Sequence, residues 1–174
     1  GVLHASLLGV FPLVAKKIVD AVQRRKVYAK WAHLKPKSFE RNLVVIGAGA
    51  AGLVSSYIAA VVKAKVTLVE GHKMGGDCLN YGCVPSKALI KTATLARQMR
   101  HSADYGIASA EFKLDFAQVM ERVARVVKEI EPHDSVERYT GLGVDVVQGS
   151  ARIVSPWEVD ITHHDGRVQR LTTR

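Results

Sequence analysis

Residues 43–52 read LVVIGAGAAG, an unbroken apolar run that passes straight into glycines spaced Gly47-x-Gly49-x-x-Gly52. Such a run is the sequence of a strand buried on both faces of a parallel sheet. The alanine-rich stretch behind it, 50–63, reads as a helix, and VTLVE at 66–70 as the next strand. Gly47 makes the tight turn, Gly49 lets a pyrophosphate approach the backbone, and Gly52 lets the helix sit close on the strand. The helix N-terminus favours the phosphate charge. Glu70 closes the second strand, where a carboxylate accepts hydrogen bonds from a ribose hydroxyl and repels a 2′-phosphate. An incidental glycine-rich turn needs none of this context. The predicted fold class is therefore α/β, built on a Rossmann-like dinucleotide-binding βαβ unit; the glycines alone do not separate FAD from NAD.

Downstream, a helix is predicted from about Pro85 to Met99. A second, amphipathic helix is predicted from Asp115 to Glu131, with Phe116, Val119, Met120, Val123, Val126, Val127 and Ile130 at helical spacing. VDVVQG at 144–149 reads as a third strand. WEVDIT and RVQRLT read as a hairpin turning at Asp165-Gly166. His133 reads as a helix-end residue and His163-His164 as a solvated hairpin tip. Adjacent side chains on a strand point opposite ways, so no metal site is expected there.

Both cysteines lie in GGDCLNYGCVPSK, 75–87, five positions apart. A zinc site needs about four ligands, and only His72 stands nearby. A structural disulfide would close a very short loop, and two buried thiols fit poorly among Gly76, Asn80 and Gly82. A redox pair fits best. The glycines let the chain deform so that the sulfurs meet, and Pro85 places Cys83 at a helix N-terminus, where the dipole favours the thiolate.

The net charge of +9 is concentrated at one end. Residues 1–41 hold nine Lys or Arg against Asp20 and Glu40, which leaves +7 there and +2 in the rest. The basicity belongs to a leader rather than to the folded body, which argues against nucleic acid as the partner. Residues 1–15 carry no charged side chain, yet as a helix they would reach only ~22 Å, short of a ~30 Å hydrocarbon core. The stretch reads as the end of a membrane-spanning helix followed by a basic juxtamembrane segment, or else as a surface helix packing its apolar face on the domain. The expected division is a leader and linker over 1–40 and a dinucleotide domain over 41–174.

The glycine fingerprint, the acid at 70 and the pattern GG-x-C-x4-C-x-P-x-K together resemble the flavoprotein disulfide reductases, a family that includes dihydrolipoamide, glutathione and mercuric reductases. The resemblance implies an FAD-binding domain, incomplete here, with NAD(P)H as the electron partner of the whole protein. It implies Cys78 as the interchange thiol and Cys83 as the sulfur beside the flavin, with Lys87 near the flavin edge. Gly76 and Asp77 fall among the FAD-contacting positions, and Gly149-Ser150-Ala151 matches a strand end at the adenine. Asp77 stands where the family usually has Thr, and near a pyrophosphate such a carboxylate disfavours anion binding unless it points away or pairs with a cation, for which Lys73 is the candidate. Tyr81 replaces a commonly aliphatic residue.

The likeness is nearest to mercuric-reductase-like bacterial proteins that follow a DedA-like membrane domain. The alternatives are a dihydrolipoamide dehydrogenase-type enzyme or a non-catalytic basic module for membranes or nucleic acid. The resemblance further implies a disulfide, thiol-bound or metal-ion substrate, a homodimer, and a place in the bacterial cytoplasm at the inner face of the inner membrane. No second glycine fingerprint follows Gly52, so the chain is expected to be a fragment lacking the nicotinamide and interface domains.

Overall fold

The computed structural model describes the backbone over residues 2–174 and the side chains over 11–174. What was expected of the side chains at the start of the apolar run 1–15 lies outside that range. A long helix, α1 (Val2–Ala29), opens the chain and runs through Pro12. A single 3-10 turn, Ala32–Leu34, leads toward the domain. There β1 (Leu43–Ile46), α2 (Ala50–Val61) and β2 (Val66–Glu70) form the expected βαβ unit. Two helices carry the cysteines: α3 (Gly76–Asn80) and α4 (Cys83–Arg100). Then come α5 (Phe116–Ile130), α6 (Val136–Gly141), and the strands β3 (Asp145–Ser155), β4 (Glu158–His163) and β5 (Val168–Thr172).

The five strands make one sheet in the order β1-β2-β3-β4-β5. The first three are parallel, with Val45 opposite Leu68 and Glu70 opposite Gln148. At Gly149 the strand β3 leaves β2 and pairs antiparallel with β4, and β4 with β5. The pleat explains the layering. Alternate residues point to opposite faces, so Leu43, Val45, Val66, Leu68, Val144 and Val146 pack beneath α2 with Leu53 and Ala60. Val44, Val69 and Val147 face the other way, onto Val159, Ile161 and Leu171 of the antiparallel meander.

β1 is less buried than its sequence suggests. Its residues are half-buried and Ile46 is 48% exposed, because β1 is an edge strand here, whereas all five residues of β2 are buried between two neighbours. At the opposite end of the parallel strands, Arg41 ties all three together. Its Nε donates to Thr67 Oγ1 at 2.6 Å and its Nη2 to Asp145 Oδ2 at 2.8 Å.

The amphipathic helix forms as predicted. Asp115 caps α5 by accepting from the N–H groups of Ala117 and Gln118. α5 packs on α4, with Val123 and Ala88 buried and Arg122 donating to Ala88 O at 3.0 Å. The hairpin also forms, with the Asp165 carboxylate accepting from the Arg167 N–H across the turn. Among the described residues the leader does not pack an apolar face on the domain: Phe11, Leu13, Val14, Ile18, Val19 and Val22 are all exposed. Among the described residues no helix is long and apolar enough to cross a membrane.

Candidate active site

The glycine turn has the geometry its spacing requires. Gly47 turns at φ 96° and donates to Val69 O at 2.7 Å, which locks the end of β1 onto β2. A Cβ on Gly52 would collide with Gly47 O, so only glycine lets α2 start this close to the strand. Around Gly49, by contrast, an added Cβ meets nothing within 4 Å. The turn is tight behind and open in front, where a pyrophosphate would approach the N-terminus of α2.

Glu70 is 9% exposed, and each of its oxygens already accepts a backbone hydrogen bond. Ala48 N–H donates to Oε2 at 2.6 Å and His72 N–H to Oε1 at 2.7 Å. The carboxylate thus fixes the glycine turn from behind, a task the sequence reading did not assign to it. A carboxylate has about four acceptor sites, so both oxygens keep a lone pair for a ribose hydroxyl. Turn, open cradle and acid together fit an ADP-bearing cofactor.

The cysteine segment stands directly on this turn. Gly76 sits at φ 53°, and a Cβ there would lie 2.8 Å from Gly49 Cα. The two glycine-rich segments meet backbone to backbone, which only glycine permits. Asn80 holds the approach in shape, donating from Nδ2 to Gly76 O at 2.8 Å and Met74 O at 3.0 Å. This role was missed in the sequence, although an Asn four residues past a glycine pair is its signal.

Cys78, half-buried, lies in α3; Cys83, exposed, begins α4 with Gly82 before it and Pro85 in the first turn, as predicted. Both are free thiols. They face one another: a hydrogen bond with the Cys83 side chain, with some desolvation and the charge of Cys83, pushes the Cys78 thiol above its usual value. The charge of Lys87 works in the opposite direction, so its exposed ammonium stands within electrostatic reach of Cys78.

Of the two courses open to Asp77, pairing with a cation is not the one taken, and the expected strand end at Gly149–Ala151 needs correction. Asp77 is exposed and forms no ion pair among the described residues. Lys73 lies instead over the exposed Tyr81 ring, 5.5 Å from its centroid. Gly149-Ser150-Ala151 is not a strand end: β3 continues to Ser155, and Ala151 pairs with Ile161 and packs into the core. Pairing with β4 carries the strand on after β2 has stopped. The segment still borders the end of β2, since a Cβ on Gly71 would stand 3.4 Å from Gly149 O.

A strand–glycine turn–helix with a ribose-ready acid, carrying a dithiol on its front edge, defines a dinucleotide-linked thiol–disulfide protein. The family model described as pyridine nucleotide-disulphide oxidoreductase matches residues 41–171, and the chain belongs to that family, whose members use FAD and NAD(P)H. Among curated proteins it is similar to a dihydrolipoyl dehydrogenase of Geobacillus stearothermophilus, 40% identical over 129 residues, covering 74% of this chain and 27% of that protein. One of Bacillus subtilis (strain 168) is 42% identical over 115 residues, covering 66% and 24%. One of Chlamydia muridarum is 37% identical over 124 residues, covering 69% and 26%. The chain spans about a quarter of the length of these relatives. Their names favour the dihydrolipoamide-type alternative over the mercuric-reductase reading of the sequence.

Proposed function

We propose that this chain is the FAD-binding, dithiol-bearing part of a pyridine nucleotide-linked disulfide oxidoreductase of the dihydrolipoyl dehydrogenase type. The observation that carries the reading is the pair of facing thiols seated, through Gly76 on Gly49, against an open dinucleotide cradle. Gly47, Gly49 and Gly52 receive the pyrophosphate at the N-terminus of α2, Glu70 takes the ribose, and Gly76, Asp77, Lys87 and the Gly149–Ala151 segment border the cofactor. FAD, when bound, supplies the two-electron relay between the sulfurs and a nicotinamide.

The exchange itself belongs to Cys78 and Cys83. From their disulfide state, a thiolate of a small dithiol attacks Cys78 Sγ, and Cys83 leaves as a thiolate at the positive end of α4. The second substrate thiol then displaces Cys78. One S–S bond is broken and one formed, and two electrons pass from substrate to the cysteines. A Cys78 thiol with a raised pKa is a poor attacking group near neutral pH. It is no obstacle to the first step, in which Cys78 is the sulfur attacked; in the second, where Cys78 leaves, the raised pKa slows its departure and the charge of Lys87 works against that. Relatives named dihydrolipoyl dehydrogenase support a dithiol substrate over a metal ion.

The remaining parts of the reading are a homodimer and attachment, through the basic leader 1–40, to the inner face of a bacterial inner membrane. The charge of the leader and the exposed apolar residues of α1 support the attachment. The test of the site is Cys83→Ser in the whole protein. Flavin should remain bound, the long-wavelength charge-transfer absorbance of the two-electron-reduced protein should vanish, and disulfide turnover should fall by about 10³-fold or more. Wild-type turnover in that variant would overturn the assignment.

A further inference from the structure

Among the described residues, α1 meets the domain through an aromatic contact. Tyr28, in the last turn of α1, lies at 43° to Trp157 with 5.8 Å between ring centroids. Past the turn at Ala32–Leu34 the chain brings Lys35 Nζ to 6.0 Å from the same ring. Trp157 is itself held by Thr173 N–H donating to its carbonyl at 2.9 Å, and its own N–H donates to Ser155 Oγ. Arg25, Tyr28, Ala29, Ala32, Lys35 and Trp157 line an open cleft of about 500 Å³. That lies within the ~300–1,000 Å³ span of small-ligand clefts.

The cleft is cationic and has no acid in its wall. Neither Arg25 nor Lys35 has a carboxylate partner among the described residues. Of the two leader acids, Glu40 is already taken by the N–H and hydroxyl of Thr172. Two free cations beside Tyr and Trp are the side chains that meet a phosphate-bearing headgroup at a membrane surface. The apolar face that the cleft continues points to a lipid. At 100° per residue Phe11, Val14, Ile18 and Val22 fall on one face of α1, and Arg25 and Ala29 continue that face into the cleft. Lys16, Asp20 and Arg24 fall on the opposite side. An apolar stripe that ends in a cationic, aromatic-walled cleft suits a helix lying in the plane of the interface.

We propose that the cleft between the end of α1 and Trp157 seats the phosphate of an anionic phospholipid headgroup, while the stripe from Phe11 to Val22 dips into the acyl boundary. This deepens the membrane part of the proposed function and is independent of its dithiol part. The test is sedimentation of the 174-residue chain with vesicles of phosphatidylcholine alone and with added phosphatidylglycerol. It compares Arg25→Gln with Lys35→Gln, in the cleft, against Lys16→Gln with Arg24→Gln, which removes equal charge from the polar side. The cleft pair is expected to cut binding to anionic vesicles by about tenfold or more, and the polar-side pair by less than about threefold. In a Trp31→Phe background, where Trp157 is the sole tryptophan, anionic vesicles should shift its emission to the blue and millimolar inorganic phosphate should not. Equal losses from the two pairs would overturn the seat and leave general membrane attachment standing. An emission shift with inorganic phosphate alone would make this a soluble-anion site and overturn the lipid. No binding to either vesicle would overturn both the seat and the membrane reading, while leaving the cysteine assignment untouched.

Discussion

A hydrogen bond with the Cys83 side chain is the leading cause that raises the pKa of the Cys78 thiol, ahead of desolvation and the charge of Cys83, and against the charge of Lys87. A raised thiol pKa means that the folded chain holds the proton more tightly than the unfolded one. Whatever stability this lends is present at neutral pH and is lost as pH rises through the folded value. The consequence for reactivity is testable in the reduced chain. Cys83→Ala removes the first cause of the shift, so the thiolate fraction of Cys78 near pH 8 should rise, and its alkylation by iodoacetamide should speed up by about two- to tenfold. Peptide mass spectrometry of the Cys78 adduct over pH 7–10 measures this, and a slower reaction would remove the hydrogen bond from the account. Glu70 and Asn80 matter in the same way, as side chains whose polar atoms hold glycine backbone in place.

At the scale of elements, the βαβ unit and its turn are legible in LVVIGAGAAG because tight turn, close helix and open cradle are each properties of a glycine at a fixed offset. α5 is equally legible, since a strong apolar stripe and an Asp cap depend on local sequence. What the sequence does not carry is the company an element keeps. The half-exposure of β1 follows from its place at the sheet edge, and the length of β3 from a partner that joins where β2 stops. The Lys73–Tyr81 contact is a meeting of two turns that no local pattern announces. The contact of α2 on β1 gives the prediction at this scale. Gly52→Ala places a methyl group on Gly47 O, so the helix must back away from the strand. The expected loss is about 1–3 kcal/mol in urea unfolding, with weaker FAD binding in the whole protein. An unchanged midpoint would show that the close approach is not needed.

For the whole molecule, the leader and the domain are nearly separate bodies joined by the linker and by the Tyr28–Trp157 contact. An aromatic pair of this kind contributes about 0.5–1.5 kcal/mol. A chain starting at Trp31 should therefore melt within about 2–6 °C of the full one, with Trp157 emission moved to the red by solvent. A larger drop in melting temperature would mean that α1 is part of the core. Along β3 the consequence is directional. A single continuous strand runs from Asp145, beside the row that ends in Glu70, to Ser155, two positions short of the leader's foothold. The foothold at Trp157 and the end of β2, past which α3 and α4 carry the sulfurs, are linked through this strand, whose register shifts between Ile153 and Ser155. The distance of the dithiol from any surface the leader meets is therefore set at that slender joint, by the linker and the Tyr28–Trp157 pair, rather than by the strand itself.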